Sequence, residues 1–276
     1  MDRNAPVGVF DSGVGGLTVA REIMAQMPDE RMVYFGDTAR VPYGNKSKDT
    51  VIRYSRQIIR FLKSQGVKAI VIACNTATAC ALEAVERDTE LPIIGVIRAG
   101  AGAAAAATRN GRVGIIGTEA TIASGLHAEV IKALRPEIQV VGKACPLFVP
   151  LVEEGLLEDP VTDEIAGRYL KPLKEQGIDT LVLGCTHYPL LRPTIRRIMG
   201  DKVTLINPAY ETALELKNLL RERGLDCDAA QRAAEDDGAA KYRLFVSDRA
   251  QSFTRFAASI LPQDAGETRQ INIEEY

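Results

Sequence analysis

The chain has 276 residues, 46% hydrophobic and 25% charged, with 34 basic against 36 acidic side chains. That length and composition fit one large or two ordinary globular domains with sizeable cores. A net charge of −2 without a basic tract, and no apolar run near the roughly 18 residues of a membrane span, point away from nucleic acid, a membrane surface or a spanning segment.

In chain order, short apolar runs predict strands at Val7–Phe10, Met32–Phe35, Ala69–Ala73, Ile93–Val96, Val113–Ile116, Ile138–Val141, Leu181–Leu183, Val203–Ile206 and Tyr242–Val246. Amphipathic stretches lie between them. Leu17, Ala20, Met24 and Met27 share one helical face, as do Val51, Tyr54, Ile58, Phe61 and Leu62. The alanine-rich stretch Ala99 to Thr108 predicts a helix, and a last helix is expected over Ala250–Leu261. The Ala/Asp-rich stretch Ala229–Ala240 reads as variable, and the polar residues Gly266–Tyr276 read as loose. No signal peptide opens the chain. Alternating strands and helices mean an α/β fold with largely parallel sheets, each covered by helices on both faces.

A repeat sets the domain organisation. Residues 61–74 and 172–185 share six of fourteen positions at one offset, ending on Cys74 and Cys185. Val7-Gly8-Val9-Phe10-Asp11-Ser12-Gly13 and Val113-Gly114-Ile115-Ile116-Gly117-Thr118 open the two halves in the same style. The expected arrangement is two pseudo-symmetric α/β domains, 1–97 plus 208–276 and 98–207. Ligands bind at the carboxyl ends of strands in such sheets. Asp11-Ser12, Asp37-Thr38, Cys74-Asn75-Thr76, Thr118 with Thr121, and Cys185-Thr186-His187 all fall at those ends, so one interdomain cleft is expected to hold them.

Five cysteines, without C-x-x-C or zinc-type spacing, suggest reduced thiols in a cytoplasmic enzyme. A lone strand cysteine is usually a small buried hydrophobe. Two at matched repeat positions suggest a single site facing both. Each also precedes a predicted helix N-terminus, which favours a thiolate. Two opposed thiols can take a proton from one side of a carbon and return one from the other. Cys80 reads as helix core, and Cys145 and Cys227 as structural or incidental. Asp11 is either a helix cap or a carboxylate serving Cys74. His187 is either a loop histidine or the acid/base partner of Cys185. His127 reads as a mid-helix surface residue, and Glu153, like Glu154, as a solvated carboxylate. Gly13-Val14-Gly15-Gly16 fails the dinucleotide pattern at Thr18; its N–H groups are expected to approach a small anion. Pro42-Tyr43-Gly44 is a turn whose N–H groups could hold a carboxylate. Ser12, Asn75, Thr76, Thr118, Thr121 and Thr186 add neutral donors, suiting an amino-acid zwitterion with a second carboxylate.

These pieces, in this order, resemble the bacterial glutamate racemases of the cofactor-independent aspartate/glutamate racemase superfamily. The resemblance rests on Gly8 to Val19, Gly36-Asp37-Thr38 with Pro42-Tyr43-Gly44, Ala73 to Thr78, Gly117-Thr118 with Thr121, Pro150-Leu151-Val152-Glu153 and Gly184 to Pro189. It implies that Cys74 takes the α-proton from D-glutamate and Cys185 from L-glutamate, without pyridoxal phosphate or metal. Asp11 would assist Cys74, and His187 would assist Cys185 with Glu153 nearby. Asp11-Ser12, Tyr43-Gly44, Asn75-Thr76 and Thr186-His187 would contact substrate. It further implies a homodimer supplying D-glutamate to peptidoglycan. Arg98-Ala99-Gly100 stands where relatives often have Pro-Gly, and only six residues precede Val7, so activation by a wall precursor is not expected.

Two other functions stay open. An aspartate racemase of the same superfamily would keep the chemistry and change the substrate. A non-catalytic two-domain binder of acidic amino acids would use the same fold and donors, but gives no reason for thiols at both strand ends.

Overall fold

The structure, a computed structural model, describes residues 2–228, 240–262 and 265–276. Residues 229–239, most of the Ala/Asp-rich stretch noted in the sequence, lie outside the described residues. The chain runs β1 (Val7–Asp11), α1 (Leu17–Gln26), β2 (Met32–Gly36), α2 (Lys48–Ser64), β3 (Ala69–Ile72), α3 (Asn75–Glu86), β4 (Ile93–Gly95) and α4 (Val96–Ala107). It continues through β5 (Arg112–Gly117), α5 (Glu119–Ala123), α6 (Leu126–Leu134), β6 (Gln139–Ala144), α7 (Phe148–Glu153), α8 (Pro160–Glu175), β7 (Thr180–Gly184), α9 (Arg192–Met199) and β8 (Thr204–Ile206). It closes with α10 (Pro208–Glu222), β9 (Tyr242–Val246), a helix at Ala250–Ile260 and β10 (Thr268–Gln270).

Two parallel sheets result, one ordered β10-β9-β2-β1-β3-β4 and the other β6-β5-β7-β8. The sequence repeat reappears as wiring. β1 lies between β2 and β3 with β4 beyond, and β5 lies between β6 and β7 with β8 beyond. Every residue of β1, β2, β3 and β7 is buried, which explains their unbroken apolar runs. Buried apolar residues fall into two groups around the first sheet and two around the second, one for each sheet face. The segment after 208 returns to the first sheet, where β9 pairs with β2 in register Met32↔Tyr242.

Local chemistry fixes the helix starts. Ser47 accepts a hydrogen bond from the Thr50 N–H at 3.3 Å to open α2, and Asp159 and Asn207 cap α8 and α10, with Pro160 and Pro208 at the first helical positions. α2 ends before Gly66, whose φ of 71° suits glycine. Gly100 of α4 faces the ring of Pro208, close enough that a Cβ would sit 2.9 Å from its Cγ. The two chain segments linking the sheets are thereby packed together.

Two expectations are corrected. Gly266–Tyr276 is not loose: Thr268–Gln270 pairs with Leu244–Val246, and the Tyr276 ring meets Phe61 edge-on at 5.2 Å. This strand is polar because it is short and at the sheet edge, where its residues are largely exposed. His127 is not on the surface. It is the second residue of α6, only 2% exposed, and its ring lies beside Gly184.

Candidate active site

The carboxyl ends of β1 and β3 in one sheet, and of β5 and β7 in the other, converge. Cys74 follows β3 and serves as N-cap of α3, where Sγ accepts from the Ala77 N–H at 3.3 Å. The Ser12 hydroxyl lies 3.6 Å from the same sulfur. Cys185 follows β7, and its sulfur is 3.8 Å from His187 Nδ1. His187 Nε2 lies 3.0 Å from Glu153 Oε1, at the end of α7. Both thiols are buried, at 6% and 7% exposure. A cavity of about 270 Å3 adjoins the site, lined in part by Gly13, Val14, Thr38, Val41 and Glu153.

The two sulfurs sit in unlike surroundings. Burial and the Asp11 carboxylate push the Cys74 thiol up to about 12, against weaker help from the Ala77 N–H and Ser12. Cys74 does cap a helix, as the sequence suggested, but burial is the largest influence on its thiol and works against the thiolate that a helix N-terminus favours. Cys185 departs in another way. It is followed by a 3-10 turn, Tyr188–Leu191, and α9 starts only at Arg192. Its partner is His187. Burial alone would lower that imidazole, but hydrogen bonds to Cys185 and Glu153, and their charges, carry it to about 10. An imidazolium beside Cys185 is thus favoured.

Asp11 is fully buried. Desolvation raises its pKa, partly opposed by His187 and by the N–H groups of Gly13 and Gly16. Gly13 N–H donates to Asp11 Oδ2 at 2.9 Å. The glycine-rich loop therefore serves an anion, as the sequence suggested, but that anion is the chain's own carboxylate. Asp11 Oδ1, also buried, has no hydrogen-bond partner among the described residues and remains open to a donor.

The neutral donors meet across the two sheets. Thr76 Oγ1 lies 3.0 Å from Thr118 Oγ1 and 3.3 Å from Thr121 Oγ1. Thr118 also caps α5. Gly44 packs so closely on Thr118 that a Cβ there would come within 3.1 Å. Asn75 and Thr186 are buried beside their cysteines. Pro42 precedes a 3-10 turn, Tyr43–Asn45, with the Tyr43 side chain buried at 1% exposure. Glu153, read as a solvated carboxylate, is partly exposed and bonded to His187. Cys80 lies on α3 against the core, Cys145 is buried at the end of β6, and Cys227 lies 3.7 Å from Asn4 Oδ1, away from this site.

Sequence reasoning missed Thr18. Its hydroxyl lies 2.9 Å from the Gly15 carbonyl and 3.0 Å from the Thr186 carbonyl, so α1 is tied directly to the Cys185 loop. Thr18 is the second residue of α1, and a threonine there gives no sequence signal of such a contact. Among the described residues no cluster of three or more His, Cys, Asp or Glu side chains could hold a metal ion, and no helix is long and apolar enough to cross a membrane.

Comparison with known proteins gives consistent results. The model of the Asp/Glu/Hydantoin racemase family matches residues 17–216. A glutamate racemase of Geobacter metallireducens is 50% identical over 268 residues, covering 97% of both chains. The crystal structure of a glutamate racemase isoform from Bacillus anthracis superposes with a TM-score of 0.89 at 37% identity, covering 98% of both chains. The Francisella tularensis glutamate racemase, solved with D-glutamate, gives 0.88 at 36% identity, covering 99% of this chain and all of the other.

Proposed function

Because the chain belongs to the Asp/Glu/Hydantoin racemase family, we propose that it interconverts L-glutamate and D-glutamate by two-thiol proton transfer at the α-carbon. One observation carries this reading: two buried thiols at matched strand ends, each with its own proton-handling partners. A single thiol with its helpers would exchange an α-proton with retention. Two on opposite walls invert the centre.

In this reading Cys74, as thiolate, removes the α-proton of D-glutamate while Cys185 delivers one to the opposite face. For L-glutamate the roles reverse. Asp11 takes the proton of Cys74 during activation, and His187, oriented by Glu153, exchanges a proton with Cys185; the influence of the Asp11 charge on Cys74 and the short His187 contacts support this assignment. The substrate's own carboxylates replace water around Asn75, Thr76, Thr118, Thr121, Thr186 and Ser12, and around the N–H groups of Tyr43 and Gly44 after Pro42. Burial of the thiols means the walls open for entry and close for chemistry, excluding water while a weak carbon acid ionises. The reaction so written uses only side chains of this protein.

The domain division that serves this reading is 1–97 with 208–276 against 98–207. Two like-wired sheets and two linking segments support it. The family resemblance further supports a cytoplasmic homodimer whose D-glutamate enters peptidoglycan.

The test is incubation of cofactor-free protein with each glutamate enantiomer in D2O. Optical activity and the α-proton signal should fall together from either enantiomer. Cys74→Ala and Cys185→Ala should each lower racemisation at least a thousandfold. Full activity in either variant sinks the two-thiol assignment. Activity on aspartate alone would move the substrate and keep the chemistry. Inactivity with both, in folded reduced protein, would favour a binder of acidic amino acids.

A further inference from the structure

Tyr43 belongs to the turn assigned above to a substrate carboxylate, yet its phenol points away from any such contact. It is 1% exposed, and its hydroxyl donates to Asp37 Oδ2. Burial and the neighbouring Asp37 push its pKa well above the ordinary 10, so the phenol stays a neutral donor. What this turn can offer substrate is backbone: the N–H groups of Tyr43 and Gly44. Their position depends on what holds the side chain.

That anchor is unusually complete. Asp37 is wholly buried and follows β2. Besides the phenol, its carboxylate receives Arg40 Nε at 3.0 and 2.8 Å and Ser247 Oγ at 2.8 Å. Its own N–H donates to the Asp11 carbonyl at 3.0 Å, which registers it on the catalytic end of β1. The Arg40 guanidinium lies 4.0 Å over the Tyr54 ring and reaches Gln57 and, at 3.1 Å, Glu274 of the C-terminal segment. Donors from the loop itself and from the segment after β9 therefore converge on one carboxylate. Buried ion pairs are weak sources of stability but good at fixing geometry.

We infer that Asp37 is the positioning residue of the substrate loop: by holding the Tyr43 phenol, it sets the Tyr43–Gly44 N–H groups where they receive a substrate carboxylate. Arg40 and Ser247 keep the Asp37 carboxylate in place, and Glu274 braces Arg40 from outside. The inference rests on the proposed racemase reading. Asp37 touches no reacting atom, so losing it should weaken substrate capture more than it slows proton transfer.

Tyr43→Phe removes one oxygen and keeps the packed ring; Asp37→Asn keeps the shape of the anchor and removes its charge. KM and kcat for both enantiomers would be measured beside the thermal midpoint. Breaking one hydrogen bond to a carboxylate predicts a rise in KM of about tenfold in Tyr43→Phe, with kcat reduced less than threefold. Asp37→Asn should raise KM at least as much. If Asp37→Asn does not fold, Tyr43→Phe decides alone. Unchanged KM in folded Tyr43→Phe, with or without a lower midpoint, overturns the inference, because a purely structural bond would alter stability and leave KM in place. A fall in kcat at constant KM overturns it too. Inactive wild-type protein would refute the racemase reading itself, and this inference with it.

Discussion

At the scale of single residues, close approach decides more than composition. A Cβ on Gly15 would lie 2.3 Å from Thr186 Oγ1 and 2.6 Å from the His187 ring. Neither neighbour is a flexible chain end that can step aside. Gly15→Ala should therefore displace the imidazole from Cys185 and cut racemisation about a hundredfold, the usual effect of a misplacement near 1 Å, with the circular dichroism spectrum unchanged. Near-normal activity would show that the loop yields freely. His127 gives a different prediction. Burial lowers it to about 4, against 6.5 when exposed. As pH falls below 6.5 the unfolded chain takes up a proton that the folded one refuses until about 4, so stability is lost across that window. The loss amounts to about 3 kcal/mol, and His127→Phe should abolish that part. Urea midpoints at pH 7 and pH 4.5 would measure it; an equal pH dependence in variant and wild type would refute it. The repeat marked the places of Cys74 and Cys185 in the sequence; Asp11 and His187 have no counterparts in it and drew notice only as possible neighbours of the thiols. The burial of His127 was not legible, since its ring packs beside Gly184, 57 positions further along the chain.

Among the elements, runs with both faces covered were the most readable. Nine strands fell within a few residues of their expected ends; central ones such as β1, β3, β5 and β7 are continuous apolar runs bounded by glycine and polar turns. β10 escaped notice for the converse reason: an edge strand of three polar residues, Thr268–Gln270, carries no apolar signal. Its contacts are nonetheless substantial. It pairs with β9, Tyr276 packs on Phe61, and Glu274 reaches Arg40. Removing residues 268–276 should cost on the order of 3 kcal/mol, read as a lower denaturant midpoint. An unchanged midpoint would mean the segment is carried passively. The setting of Cys74 was likewise half legible. Cys74 does open a helix, as the pattern after β3 suggested, but its burial, which raises the thiol, follows from packing that the pattern does not carry.

Across the whole molecule, a duplicated strand order produces one site from two unlike halves. A thiol and a carboxylate, Cys74 and Asp11, lie on one wall and a thiol, an imidazole and a carboxylate, Cys185, His187 and Glu153, on the other, although both walls are wired alike. The duplication was visible in sequence as the matched cysteines; the inequality of the walls was not, because it arises from which side chains converge in space. The uneven placement of strands along the chain has a further consequence. The second sheet draws all four strands from one continuous stretch, Arg112–Ile206, whereas β2 must wait for β9, whose Tyr242 pairs with Met32 from 210 positions earlier. Closing so long a loop is slow in folding. During synthesis the second sheet can complete while the first still shows an unpaired strand edge, the kind of surface that recruits other chains. Pulse-labelled hydrogen exchange during refolding should protect the amides of Val113–Ile116 and Leu181–Leu183 before those of Tyr242–Val246. Simultaneous protection would indicate a single cooperative collapse. The β2–β9–β10 side of the first sheet, in this order of events, is the last part of the two sheets to become rigid.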